Sequence, residues 1–220
     1  QIATACLRQF RLNEALVEHG NGEAVHQVRV ALRRLRAAFS IFGKMLQDDV
    51  FERLKEEARW LAAALCDARD LDVLIARKQV GEEHRSALES AREEAYARAE
   101  AALASDRARK FMLDLIEWLA LGDWLTRPDG KELREEPARE FAASALDRLR
   151  RKIRKGGGDL AELDDEARHE VRKNAKKLRY VSEFFGPLFD GTRRRRRVKR
   201  FIAALETLQD KLGALNDLAV

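Results

Sequence analysis

Apolar residues recur three and four positions apart along almost the whole chain, and no stretch alternates in the manner of a strand. That period predicts helices over about 2–19, 24–47, 49–77, 82–104, 106–121, 137–155, 163–185 and 194–213. The breaks have local causes. Gly20-Asn21-Gly22 ends the first helix, Asp48-Asp49 offers a cap for the third, Gly81 precedes the fourth, and Asp106 is placed to cap the fifth. Pro128-Asp129-Gly130 is a turn within a linker over 126–136. Gly156-Gly157-Gly158 stops the next helix, after which Asp164 or Asp165 can cap. Short loops between long helices favour antiparallel neighbours, so the expected fold class is all-α, built as helical bundles.

The pattern repeats. His26, Arg29, Arg33, Arg34 and Arg36 align with His169, Arg172, Lys176, Lys177 and Arg179 at one offset, 143 (169 minus 26). Val28, Leu35 and Phe42 align with Val171, Leu178 and Phe185 at the same interval. Downstream, Ala68–Val73 aligns with Leu215–Val220 at 147 (216 minus 69), which puts four extra residues in the second copy, expected within Gly191–Arg197. A duplicated helical unit follows: a first repeat over 1–125, the linker over 126–136 and a second repeat over 137–220. The second copy stops where the first continues through two more helices, so one or two further helices are expected beyond Val220.

Charge adds more by its placement than by its sum. The formal net charge is +5, from 43 Lys and Arg against 38 Asp and Glu. Yet the stretch 24–47 carries five basic residues and no acidic one, while the helix expected at 82–104 mixes both signs as a solvent-facing helix does. On a wheel of about 100° per residue, His26, Arg29, Arg33 and Arg36 share a stripe roughly 80° wide. Val28, Ala31, Leu32, Leu35, Phe39 and Phe42 form the core face opposite, and Arg34 falls apart from both. The second copy has the same spacing. Like charges three and four apart repel, so a row repeated in register is explained by an external anion that completes it.

A row of forked and point cations suits a ligand with repeated phosphates. Nucleic acid is the alternative, but single-strand binders add exposed aromatics, and here Phe39, Phe42, Phe184 and Phe185 sit at or near core angles. Tyr180 is the exception, placed on the basic face to stack a base or bond a phosphate oxygen. A phosphate polymer without bases fits best.

In these residues the chain resembles the CHAD family, the conserved-histidine α-helical domains. The likeness rests on VHQVRVALRRLRAAFSIF and RHEVRKNAKKLRYVSEFF, with ARDLDVL and LGALNDLAV, and spans nearly the whole chain. It implies two pseudo-symmetric helical bundles around a basic central cavity, and binding of inorganic polyphosphate. Carried over by motif position, the ligand-facing residues are His26, Arg29, Arg33, Arg36, His169, Arg172, Lys176 and Arg179, with Arg34, Lys173, Lys177 and Tyr180 of second rank. Lys176 stands where the pattern expects Arg, and Ala219 where the first copy has Asp72.

Other features carry less. Arg193–Arg197 with Lys199 and Arg200 puts seven cations into eight residues, a solvated helix start or an auxiliary anion contact. Arg148, Arg150, Arg151, Lys152, Arg154 and Lys155 form another basic cluster. Asp70, Asp72, Asn216 and Asp217 suit helix ends and salt bridges better than a metal, and His19 and His84 read as isolated surface residues. Cys6 and Cys66 lack metal-ligand spacing and suit a reducing compartment. His26 and His169 have no Ser, Cys or carboxylate at helical spacing to make a general base useful, so no catalytic residue, metal or cofactor is expected. With no secretory leader and no membrane-length apolar run, the expectation is a non-enzymatic, cytoplasmic module that binds polyphosphate and associates with polyphosphate granules or with enzymes that process the polymer.

Overall fold

The structure, a computed structural model, describes residues 1–17, 20–76, 81–158 and 163–218, the last five as helical backbone alone. Every regular element among the described residues is helical. The expected helix ends at 19 and 77, His19, and the side chains of Asn216 and Asp217 lie outside what is described.

The chain divides into two compact units, Gln1–Lys131 and Glu132–Val220. Unit 1 holds α1 (Ile2–Val17), α2 (Gly22–Phe42), α3 (Asp49–Ala64), α4 (Cys66–Ala76), α5 (Glu82–Ala104) and α6 (Asp106–Leu121). A five-residue helix, α7 (Lys131–Glu135), lies inside the expected linker at the border of the units. Unit 2 holds α8 (Ala138–Gly156), α9 (Asp165–Phe185) and α10 (Thr192–Leu218).

The N-termini are set by side-chain caps. Asn21 Oδ1 accepts the backbone N–H of Glu23 and Ala24, at 3.0 and 3.2 Å, and opens α2. Asp164 Oδ1 accepts that of Ala167 at 2.7 Å and opens α9. Asp48 caps α3 through Phe51. At α6 the cap is Ser105, whose Oγ accepts from Ala108 at 3.1 Å, and Asp106 is the first helical residue. An acid there still helps, since its charge faces the positive end of the helix dipole.

Two expectations about length are corrected. The apolar period runs unbroken through 49–77, yet the helix breaks at Leu65 into α3 and α4, so that α4 packs on both α2 and α5. Periodicity sees the face of a helix and is blind to a change of axis. At 24–47 the α-helix ends at Phe42 and a 3-10 turn, Gly43–Met45, finishes it. In unit 2 a similar turn, Gly186–Leu188, follows α9, and α10 runs unbroken to Leu218, beyond the expected end at 213.

The core of unit 1 is built on α2. Val25, Val28, Leu32, Leu35 and Phe39 are buried against Phe51, Leu54 and Leu61 of α3 and Phe111, Leu115 and Trp118 of α6. Phe39, Phe51 and Trp118 pack with ring centroids 5.4 to 6.1 Å apart, and Trp124 tilts against Trp118 at 5.7 Å. Trp118 Nε1 donates to Asp48 Oδ2 at 2.8 Å, tying this aromatic stack to the cap of α3. Gly122 is fixed by crowding, because an added Cβ would lie 2.7 Å from Trp124 Cδ1 and 2.8 Å from Trp118 Cδ1. In unit 2, α9 buries Val171, Ala175, Leu178, Val181 and Phe185 between Ala142, Ala145 and Leu149 of α8 and Leu205 and Leu212 of α10. Both sequence-predicted core faces are therefore occupied, save that Phe42 and Phe184 are only half-buried.

Candidate anion-binding faces

On α2 the packing that buries Val28, Leu32 and Leu35 leaves His26, Arg29, Arg33 and Arg36 along one flank. Arg29 is largely enclosed, with 14% of its side chain exposed. Its Nη1 donates to the Leu65 carbonyl at 2.8 Å and its Nη2 lies 3.8 Å from Asp70 Oδ1. Arg29 thus satisfies a carbonyl left over at the α3–α4 break, which a helix end would otherwise orphan. Arg33 differs: its Nε is buried and has no protein partner among the described residues. Arg36 is exposed, and its charged form is disfavoured by partial desolvation and by Arg59 of α3.

His26 reports the field along this row. Its pKa is pushed below 6.5, first by burial, then by the Arg69 guanidinium, with Arg33 and Arg29 adding to the effect and Glu23 opposing it. Arg59 and Arg69 are therefore cations of this face that the spacing on α2 could not reveal. The acidic neighbours of Arg69 in ARDLD have separate duties. Asp72 accepts from Arg92 Nε at 2.7 Å and from Tyr96 Oη at 2.8 Å, binding α4 to α5. Its carboxylate also lies over the start of α2, where a Cβ on Gly22 would be 2.8 Å from Asp72 Oδ2. Desolvation and the bonded Asp72 push the Tyr96 hydroxyl up to about 12.

Arg34 does not belong to the face. It bonds Cys6 of α1, whose thiol is pushed up by burial and only partly restored by Arg34. At its wheel angle the neighbour is α1.

In unit 2, α9 carries the corresponding row. His169 is exposed, and Arg172, Lys176 and Arg179 are half-buried. Arg172 Nε is buried without a protein partner among the described residues, and its guanidinium lies against α10 at Gly213. A Cβ at Gly213 would stand 3.1 Å from Arg172 Nη2. Arg179 is held by the protein itself: Nη1 donates to Glu183 Oε1 at 2.6 Å and lies 3.6 Å from Glu206 Oε1, while Nε reaches Gln209 at 3.4 Å. The sequence offered Arg179 as an open cation, and the structure gives it two carboxylates.

Tyr180 requires the plainest correction. It is buried, 5% exposed, beneath the Arg179 guanidinium, 4.6 Å from its ring centroid, and offers no platform for a base. An aromatic ring at a basic wheel angle gains by turning under its cationic neighbour. Lys177 faces α8, where burial and then Lys152 and Arg148 press its pKa below 10.5. Lys173 is exposed and pairs with Glu170 one turn back. Lys152 and Arg148 thus join the positive field of unit 2, a contribution the sequence left unassigned within the cluster on α8.

The chemistry is that of cation rows rather than of a reaction centre. Among the described residues no group of three or more His, Cys, Asp or Glu side chains could hold a metal ion. Nor is any described helix long and apolar enough to cross a membrane. Arg33 and Arg172 stand out in the two rows, because each carries a buried donor that meets no acceptor among the described residues.

The family model described as CHAD domain matches residues 1–220. Among solved structures, the crystal structure of the CHAD domain from the plant Ricinus communis superposes with a TM-score of 0.82 at 28% sequence identity, covering 99% of this chain and 73% of that one. Among curated proteins no sequence matches.

Proposed function

The chain belongs to the CHAD family, and on that premise we propose that it is a non-enzymatic module that binds inorganic polyphosphate through the basic rows of α2 and α9. The observation that carries this is the pair of buried guanidinium Nε atoms without an acceptor among the described residues, Arg33 on one row and Arg172 on the other. A buried donor without an acceptor costs free energy, and a phosphate oxygen is the acceptor that a guanidinium takes best. His26 supports the same view: burial is the first cause of its lowered pKa, and Arg69, Arg33 and Arg29 add a charge repulsion that a polyanion would relieve.

Within each row the residues divide by task. His26, Arg33 and Arg36 face the ligand in unit 1, with Arg59 and Arg69 adding to the field, while Arg29 contacts it from a fixed post on the Leu65 carbonyl. In unit 2 the ligand meets His169, Arg172 and Lys176, and Arg179 joins only by giving up Glu183 and Glu206. Once one phosphate is held, the next engages at high local concentration, so long chains bind far better than triphosphate. Binding weakens with salt as the counterions of the chain are released. The module's place in the cell would follow the polymer, in the cytoplasm at polyphosphate-rich granules.

Calorimetry with long-chain polyphosphate on the wild type and on Arg29→Glu/Arg172→Glu tests this. Each reversal removes charge-assisted contacts of about 1.5–3 kcal/mol, so affinity should fall at least a hundredfold for the pair, roughly 2.7 kcal/mol. An unchanged affinity refutes the assignment. Two control arms address other readings: single-stranded RNA that displaces the polymer at equal charge would favour nucleic acid, and phosphate released in the presence of Mg²⁺ would reveal an enzyme.

A further inference from the structure

The run Arg193–Arg197, with Lys199 and Arg200, is not absorbed by either row. All seven side chains are exposed, none pairs with a described residue, and the run forms the opening turns of α10, which has no acidic residue in its first turn. Cations there oppose the helix dipole and repel one another, so the arrangement is costly unless something outside repays it.

Beside the run lies a groove of about 450 Å³, walled by Leu146 of α8, Phe189, and Val198 and Phe201 of α10, with Arg197 and Arg200 along it. Phe201 is 41% exposed, large for an aromatic side chain. Ser182 is the remaining polar lining residue, and its hydroxyl already donates to the Leu178 carbonyl at 2.7 Å. The walls therefore ask for an apolar group and the entrance for negative charge.

This groove is separate from the row on α9. On α10, at about 100° per residue, Glu206, Gln209 and Gly213 lie on one flank of the buried line through Leu205 and Leu212. Arg197, Arg200 and Phe201 lie on the opposite flank.

We propose that the start of α10 is a docking site for an acidic segment of a partner protein, whose carboxylates meet Arg193–Arg200 while one aromatic or aliphatic side chain fills the groove beside Phe201. Charge complementarity selects an acidic occupant, and the apolar walls select one with a side chain to bury. Polyphosphate has no such group. A membrane surface would call for an apolar face that protrudes, whereas these side chains line a concavity. A partner bound here leaves the row on α9 unoccupied, which suits a module that brings a protein to polyphosphate.

The test is fluorescence anisotropy with a dye-labelled short peptide of Asp and Glu flanking one central Phe, compared with the same peptide carrying Ala instead. Burial of the ring predicts that the Phe peptide binds about tenfold or more tightly. Phe201→Ser should erase that difference with helicity unchanged, and Arg29→Glu/Arg172→Glu should leave peptide affinity as it was. Equal binding of the two peptides, or a preference that survives Phe201→Ser, overturns the proposal. So does co-sedimentation of the wild type, but not Phe201→Ser, with phosphatidylserine/phosphatidylcholine vesicles. A loss of polyphosphate affinity in Arg197→Glu/Arg200→Glu as large as that in Arg29→Glu/Arg172→Glu would assign the run to the polymer and also overturn it. If that double reversal does not fold, the two-peptide comparison on the wild type and Phe201→Ser still decides.

Discussion

Replacing Arg33 or Arg172 by Met separates what the basic rows do for the ligand from what they do for the fold. Each residue carries one buried Nε without an acceptor among the described residues. An unmet buried donor costs about 1–3 kcal/mol, but each side chain is only half-buried and its outer donors reach water, so the lower end applies. Met keeps most of the packed stem, removes the unmet donor and lowers the repulsion along the row. Arg33→Met and Arg172→Met should therefore leave the fold unchanged or stabilise it by up to about 1 kcal/mol. Arg29→Met and Arg179→Met should do the opposite. The first strips the Leu65 carbonyl of a charge-assisted bond at 2.8 Å, the second leaves Glu183 without its guanidinium at 2.6 Å, and each should cost about 1.5–3 kcal/mol. Urea unfolding followed by far-UV circular dichroism reads the stability, and calorimetry with long-chain polyphosphate reads the affinity. Weaker binding without loss of stability is the expected signature at Arg33 and Arg172. If those two variants destabilise as much as Arg29→Met, or bind the polymer as the wild type does, the reasoning from unmet donors is refuted.

Two further predictions follow from single residues. Because the folded-state pKa of His26 lies below its unfolded value, the unfolded chain binds the proton more readily, and stability falls as pH drops from about 6.5 toward that lowered pKa. A bound polyanion raises the same pKa, so binding takes up a proton and tightens over this window, and His26→Gln should flatten that part of the calorimetric pH profile; an unaltered slope would exclude His26 from contact. At Gly213 the added methyl of Ala stands 3.1 Å from Arg172 Nη2 and would displace it, while helix propensity improves by up to about 1 kcal/mol. Gly213→Ala should thus melt no earlier than the wild type and bind polyphosphate less tightly, and binding at full strength would show that Arg172 needs no room against α10.

Much of this fold is legible in the sequence because helices announce themselves locally. The 3.6-residue period gives the all-α class, and Asp48 and Asp164 mark the starts of α3 and α9, since a cap and its helix are neighbours in the chain. The break at Leu65 is not legible, because it answers to the packing of α4 on α2 and α5. The basic rows are legible as rows, since four positions on one helix share one face. What stands opposite them is not. Arg59, Arg69, Arg148 and Lys152 come to the rows from other helices, and so do Glu206 and Gln209, which occupy Arg179. A wheel also assigns direction from the Cα alone, which is why it points Tyr180 outward while the ring lies under Arg179.

The aromatic stack around Trp118 has a practical consequence. All three tryptophans, Trp60, Trp118 and Trp124, belong to unit 1, and unit 2 has a single tyrosine, Tyr180, and none of the indoles. Emission excited where tyrosine is dark will follow the first half of the molecule alone, while circular dichroism sums both halves. The gap between those two melting curves is a built-in measure of whether the halves come apart together or one at a time.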